Sequence, residues 1–450
     1  MGETEHERFT REHPDVERVE LLVVDVNGIP RGKSLPIADL AKLHGGEVTL
    51  PRGAILLDTF GRASPRVPYG YPDGDPDRPV MPVPGTLAAM PWARRPTAQV
   101  LALIADPPGT PWFVNPRVVL ERCLGGFASL GLRPVVALEL EFHLLRAEGR
   151  ALAPLETLGE GPGSAGPQTY NPELLADFTP FIEAVHEAAE ALGLPTGGVL
   201  SEYGAGQFEI NLHHHDDVLR ACDEALLLRR AVRGCARRLG CLASFMAKPL
   251  ADDSGNGLHV HASLLDARGD NVFASDEGEA LAAPLRHAVA GLLESLPESL
   301  ALLAPNANAY RRFEPGGFVP TAADWGLDHR GVAVRVPSAR GAATRFEHRV
   351  AGADANPYLV TAAVLAGVRH GLERAREPIA PTEGSSTSPD AAALPKRWHE
   401  ALARLAEGRI LPPRLGEDFC ALYRTVKEDE EAADHRAGHA LDIDRYARTL

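Results

Sequence analysis

Four stretches of the chain alternate apolar and polar side chains with a period of two, the pattern of strands that bury one face and use the other. In 135–145, Val136, Leu138, Leu140, Phe142 and Leu144 share one face, while Val135, Ala137, Glu139, Glu141 and His143 share the other. In 207–213, Gln207, Glu209, Asn211 and His213 oppose Phe208, Ile210 and Leu212. In 258–264, His259, His261 and Ser263 alternate with Leu258, Val260, Ala262 and Leu264. In 343–350, Arg345, Glu347 and Arg349 oppose Thr344, Phe346 and Val350. Any one of these reads equally well as a half-exposed sheet with a solvated face. Together, Glu-x-Glu, Gln-x-Glu, His-x-His and Arg-x-Glu-x-Arg predict the walls of one funnel, apolar outside and polar within.

The remaining pattern fills in around those strands. Residues 19–26 read as a strand closed by an Asn27-Gly28 turn, followed by a short helix near 37–44. A Pro/Gly-rich region with strand-like runs at 54–58 and 100–104 completes a small β-rich domain, 1–110. Asn115-Pro116 predicts a capped helix start, with Val119, Cys123 and Phe127 on its buried face. Helical periodicity returns over 172–193, 216–239 and 356–374; residues 147–168 and 379–393 read as loops. The expected class is α+β: a small N-terminal domain and a larger one, 111–450, with an antiparallel-strand funnel backed by helices.

Charge narrows the chemistry. A net charge of −15 argues against general nucleic-acid binding, which needs a basic footprint. The acidic, polar start is no signal peptide, and no apolar run reaches the roughly 18 residues of a membrane span. Five cysteines without metal-ligand spacing suit a reducing compartment, so a cytoplasmic protein is expected. Glu139 and Glu141, two residues apart on one strand face, would repel and protonate unless a positive group covered them. Gathered with Glu202, Glu209, Glu347 and His259, they form an oxygen-rich set suited to Mg²⁺ or Mn²⁺, with carboxylates enough for two ions. Arg312, Arg330, Arg335, Arg345 and Arg349 exceed what neutrality requires; with metal, they are the equipment of phosphoryl transfer. No Gly-x-x-x-x-Gly-Lys-Ser/Thr loop is present, so a nucleotide would be held some other way.

At this point the sequence resembles the glutamine synthetase family. The resemblance is carried by Glu139-Leu-Glu141-Phe, by Glu202-Tyr-Gly-Ala-Gly-Gln207-Phe-Glu209, and by Lys248-Pro249 with Gly255-Asn-Gly-Leu-His259-Val-His261-Ala-Ser263. It continues through Asn308-Ala-Tyr310-Arg311-Arg312, Trp325 to Arg330 with Arg335, and Arg345-Phe-Glu347-His-Arg349 before Asn356-Pro357-Tyr358. It implies a β-grasp N-terminal domain, a catalytic funnel, and a ring-shaped homo-oligomer, commonly a dodecamer, with intersubunit sites. By resemblance, Glu141, Glu202 and Glu209 hold one metal, and Glu139, His259 and Glu347 the other. Arg312 and Arg349 grip glutamate beside Gly255; Arg330, Arg335 and Arg345 face the ATP phosphates, with His261 and Ser263 nearby. The implied reaction passes through γ-glutamyl phosphate to an amide.

Two departures separate this chain from ammonia-using members. Where those carry a flap glutamate, the stretch 314–320 places Phe318. An aromatic ring takes no proton but can accommodate a carbon-bearing amine, with a cation–π contribution of about 0.5–2 kcal/mol. The plainer alternative is that Phe318 packs the flap and Glu314 acts instead. There is also no tyrosine between Tyr358 and Tyr423, so the nucleotidylated tyrosine of some relatives has no counterpart. Asp58 is the match to the family's ammonium-binding aspartate. The expected activity is ligation of an organic amine, a polyamine or ethanolamine, to glutamate. The alternatives are an ammonia-using glutamine synthetase and a non-catalytic assembly or regulatory homologue. Asp73, Asp75 and Asp77 read as a solvated turn, His143 and His213–His215 as structural, and Cys222 and Cys235 as core.

Overall fold

The computed structural model describes residues 2–148, 151–158, 169–275, 280–314, 318–384, 388–437, 446–447 and 449–450. Six strands form the N-terminal sheet: β1 (Arg18–Val24), β2 (Pro30–Pro36), β3 (Thr49–Pro51), β4 (Asp77–Pro82), β5 (Ala88–Ala89) and β6 (Thr97–Ile104). β1 pairs antiparallel with β2 and parallel with β6, the β-grasp arrangement, and Gly28 at φ +78° makes the β1–β2 turn. The run 54–58 is not a strand. It lies within and just after a 3-10 helix, Arg52–Leu56, since a short apolar run fits either conformation.

The second sheet holds β7 (Arg133–Glu148), β8 (Ala151–Pro154), β9 (Thr196–Ser201), β10 (Gln207–Leu212), β11 (Leu242–Ser244) and β12 (Leu258–Leu265), then β13 (Trp325–Leu327), β14 (Val334–Val336) and β15 (Phe346–His348). Its main path runs β13-β14-β15-β12-β7-β10-β9, a nearly closed wall. One pair, β13 with β14, is parallel, so the funnel is mixed and not wholly antiparallel. β15 is shorter than the alternation over 343–350 suggested: its partner β14 has only three residues, leaving Arg345 and Arg349 outside the ladder.

Helices cover the apolar side. Helix 116–128 buries Val119, Cys123 and Phe127, but Asn115 does not cap it. Its amide instead stitches the helix start to β6, accepting from Ile104 N–H and donating to the Ile104 and Trp112 carbonyls. The periodicity over 172–193 splits at Phe178 into Pro172–Asp177 and Thr179–Ala191; Pro180 has no N–H to continue the ladder, and Phe178 turns into the core against Phe208. Helix Ala283–Leu303 packs on Pro357–Arg374 nearly backbone to backbone: a Cβ on Gly371 would lie 1.9 Å from the His287 carbonyl. Asn356 caps the latter helix through Tyr358 and Leu359 N–H. Cys222 and Cys235 are buried as expected. One apolar core runs from the N-terminal sheet through these helices. No helix among the described residues is long and apolar enough to cross a membrane.

Candidate active site

Strand register assembles the charged face. Asn211, Glu139 and His259 stand side by side on β10, β7 and β12, and Glu209 stands opposite Glu141. Across β12, Glu347 faces His261, and Arg335 faces Glu347. The side chains meet: His261 Nε2 lies 2.8 Å from Glu139 Oε1, and His259 Nδ1 lies 3.3 Å from Glu139 Oε2. His259 also sits 3.5 Å from Glu141 and 3.7 Å from Glu347. Arg335 donates to one oxygen of Glu347 at 2.8 Å and Arg349 to the other. Arg345 Nε points at His261 Nδ1, 3.1 Å away.

Behind this row a buried polar scaffold fixes the carboxylates. Gly257 N–H donates to Glu141 at 2.7 Å. The Gln207 amide donates to Glu141, the Gly255 carbonyl and Asn256, and Asn256 is held in turn by His143. His143 is therefore structural. So is His215, which accepts Asp217 N–H at the start of the next helix. Gly255 is required by close approach: a Cβ there would lie 2.6 Å from Arg312 Cγ.

The electrostatics are lopsided. Burial would raise Glu139, but hydrogen bonds from His259 and His261 hold it well below the usual carboxylate range. Burial is likewise outweighed at Glu347 by His259 and Arg349, which bring it to about 2. In contrast, burial and the nearby Glu141 push Glu202 up to about 7. Burial, with Glu139 and Glu141 alongside, pushes Glu209 up as well. At these two carboxyls burial and neighbouring carboxylates outweigh the nearby positive groups, the condition a bound cation relieves.

Two cavities meet at this face. The larger, about 790 Å³, is lined by Glu139, Glu141, Glu202, Glu209, His259 and Glu347, and also by Gly255, Arg312, Phe318, Arg330, Arg335 and Arg349. The smaller, about 290 Å³, is lined by His261, Ser263, Arg345 and, again, Glu139. His213 and His214 sit on that smaller wall. Asp58 reaches neither: its carboxylate accepts from Phe60 N–H, Arg62 N–H and Arg62 Nε in an N-terminal loop. Asp75 closes a turn onto Gly53, and Asp73 pairs with Arg52.

The donor set suits hard divalent cations. Among the described residues, two groups bring ligand atoms within 4.8 Å of one another: Glu139, Glu209 and His259, and Glu139, His261 and Glu347. Glu139 is common to both, and His261 enters where the resemblance put only nucleotide; Glu141 and Glu202 line the cleft outside these two compact groups. Arg335 and Arg349 supply the present counter-charge of Glu347.

The glutamine synthetase catalytic-domain family matches residues 113–446. The chain belongs to the glutamine synthetase family. It is a ligase of that family, whose members use ATP and divalent metal ions. It is 40% identical over 431 residues to the gamma-glutamylputrescine synthetase PuuA of Escherichia coli (strain K12), spanning 95% of this chain and 90% of the relative. It is 33% identical to the gamma-glutamylethanolamide synthetase GlnA4 of Streptomyces coelicolor, over 77% and 74% of the two chains. A solved "GmaS/ADP complex" superposes with a TM-score of 0.82 over 96% of each chain, at 26% identity.

Several residues of this family's cleft had no individual role in the sequence reading. Tyr203 stands at the mouth, its ring 6.4 Å from that of Phe318 in an edge-to-face arrangement. Tyr170 accepts from Arg330 at 3.4 Å, and Lys248 binds the Asp253 carbonyl and lies 3.6 Å from Glu314. Lys248 and Tyr203 fall inside the motifs quoted above; Tyr170, in a Gly/Pro-rich stretch without periodicity, gave no signal.

Proposed function

We propose that this chain joins an organic amine to the γ-carboxylate of L-glutamate at the expense of ATP, with a short diamine of the putrescine class as the preferred acceptor. The observation that carries this reading is the pair Phe318 and Tyr203. Both rings are more than half exposed at the cleft mouth, 62% and 58%, where a solvated apolar surface is useful only if something covers it. Asp252 shares the same lining and suits the charged far end of a diamine. The name of the 40% identical relative, a gamma-glutamylputrescine synthetase, points the same way.

In this scheme Arg312 and Arg349 orient glutamate, with Gly255 leaving room for Arg312. Arg330, Arg335 and Arg345 face the phosphates, and His261 and Ser263 line the nucleotide side. The glutamate carboxylate attacks the γ-phosphorus, the bond to ADP breaks, and the amine nitrogen then displaces phosphate from the acyl carbon while losing a proton. Two Mg²⁺ or Mn²⁺ ions, held by Glu139, Glu141, Glu202, Glu209, His259, Glu347 and His261, would supply charge neutralisation at the transferring phosphoryl group. Arginines fixed before the reaction add preorganised stabilisation there. Residues 1–110 form the β-grasp domain in this scheme and 111–450 the catalytic one. Asp58 enters only from a neighbouring subunit of a ring-type homo-oligomer. Mass spectrometry of the product from ATP, Mg²⁺, glutamate and putrescine tests the reading: γ-glutamylputrescine is expected, and glutamine or no product with any amine contradicts it.

A second reading, synthesis of glutamine from ammonia, draws on one observation. Glu314 lines the cleft four residues before Phe318 and is a carboxylate able to receive a proton. Its partner Lys248 compensates that charge, which weighs against the role.

A further inference from the structure

A larger cavity lies well apart from these strands. About 990 Å³ in volume, it is bounded by the N-terminal sheet on one side and helix Val218–Arg238 on the other. Six arginines line it: Arg94, Arg229, Arg230, Arg233, Arg237 and Arg238. Among the described residues of that lining Glu20 is the one Asp or Glu, and it is already ion-paired with Arg230. In a chain of net charge −15, this is a concentrated positive wall.

The arginines are not there to neutralise their surroundings. Arg229 is 5% exposed; one of its terminal nitrogens donates to the Ala355 carbonyl at 2.7 Å, yet its buried Nε has no hydrogen-bond partner. Arg238 donates to the Pro91 carbonyl, a neutral acceptor, and Arg233 to a backbone oxygen of Leu450. Burial, with Arg233 alongside and Asp354 only partly opposing, draws Arg229 down to about 9. Burial, with Arg237 and Arg230 alongside, draws Arg233 to about 10. Like charges four residues apart on one helix face repel. Trp92 completes the site with an apolar wall: its indole lies so close to the helix that a Cβ on Gly234 would stand 2.2 Å from it.

We propose that this cavity is a second ligand site, separate from the catalytic cleft, for a small anion bearing at least two phosphate or carboxylate groups. Guanidinium forks match both groups in geometry, and two or more anionic groups are needed to engage arginines spread along two turns of helix. The indole face would carry the ligand's uncharged part. A site of this kind would tie the acceptance of a metabolite anion to the seam between the N-terminal sheet and the catalytic unit.

The test uses the full-length protein with saturating ADP to fill the nucleotide site. Inorganic tripolyphosphate and citrate are titrated separately in divalent-free buffer, following tryptophan emission and heat. Saturable binding with a change in emission is expected, and Trp92→Phe should abolish that change. The double variant Arg94→Gln/Arg237→Gln should weaken binding by at least about tenfold, as loss of charge-assisted contacts requires, while leaving ligase turnover unaltered. Tighter binding of tripolyphosphate would identify a phosphate ligand, and tighter binding of citrate a polycarboxylate. Unchanged affinity in the double variant, or no binding of either probe to the parent protein, would overturn the proposal. So would a change of assembly size in that variant by light scattering, because the arginines would then be facing a neighbouring copy.

Discussion

Glu139 and His259 face each other across the β7–β12 ladder, with the imidazole Nδ1 3.3 Å from the carboxylate. The same carboxylate, through its other oxygen, meets His261 at 2.8 Å on the side of the smaller cavity. Glu139 therefore stands between the compartment lined by Arg312 and Phe318 and the one lined by Ser263 and Arg345. A residue that belongs to both cannot be assigned to one substrate.

That position sets the first expectation. Glu139→Gln keeps the shape but removes the charge shared by both candidate metal groups. It should lower kcat by about 10²–10³-fold with every amine, the usual scale for losing a preorganised electrostatic partner at a reacting centre. Phosphate release at saturating ATP and glutamate measures it. A variant that lost only nucleotide affinity, with a raised KM for ATP and an unchanged kcat, would show Glu139 serving one compartment alone.

A second expectation follows from Glu202, pushed from 4.5 to about 7. Between those values the metal-free folded chain holds a proton that the unfolded chain has released. The folded state binds more protons there, so this group's contribution falls as pH rises through that window. Without metal, the melting temperature of Glu202→Gln relative to the parent should increase from pH 4.5 to about 7. Saturating Mg²⁺ should reverse the ranking at pH 7.5 by stabilising the parent more than the variant. A pH-independent difference would mean Glu202 feels no such strain.

Gly255 offers a test of substrate assignment. A Cβ there must displace Arg312, whose Cγ would lie 2.6 Å away, or the Ala247 carbonyl at 2.5 Å. Gly255→Ala should raise KM for glutamate by about 10-fold or more, in keeping with the cost of misplacing a positioning group, with little change in KM for ATP. Equal increases for both substrates would assign Arg312 to the whole site.

The aromatic pair makes the fourth. Phe318→Ala removes a ring surface from the acceptor side only, at a cost of about 0.5–2 kcal/mol if the ring covers a cationic amine. KM for putrescine should rise several-fold while the KM values for glutamate and ATP hold steady. Tyr203→Ala should act in the same direction.

Much of the site was legible because β-strand alternation is a strict rule: Glu139, Glu141, Glu209, His259 and Glu347 all fell on predicted polar faces and meet in the structure. What alternation could not give was the partner of each face. Register decides that His261 sits beside Glu139 and Glu347, and register depends on pairings between strands far apart in the chain. Short elements were misread for a different reason. Residues 54–58 lack the length that separates a strand from a helical turn, and Asn115 spends its amide on a neighbouring strand, an interaction invisible to a local capping rule. Tyr203 was passed over because one aromatic beside a Glu-rich motif carries no period.

The central claim is that the acceptor is an organic amine received beside Phe318. Measuring kcat/KM for putrescine and for ammonia on one preparation, by phosphate release with ATP, Mg²⁺ and glutamate, tests it most directly. A preference for putrescine of about 10²-fold or more is expected from a cleft that provides apolar and acidic contacts to a four-carbon diamine. Ammonia used as well as putrescine, or better, would contradict it.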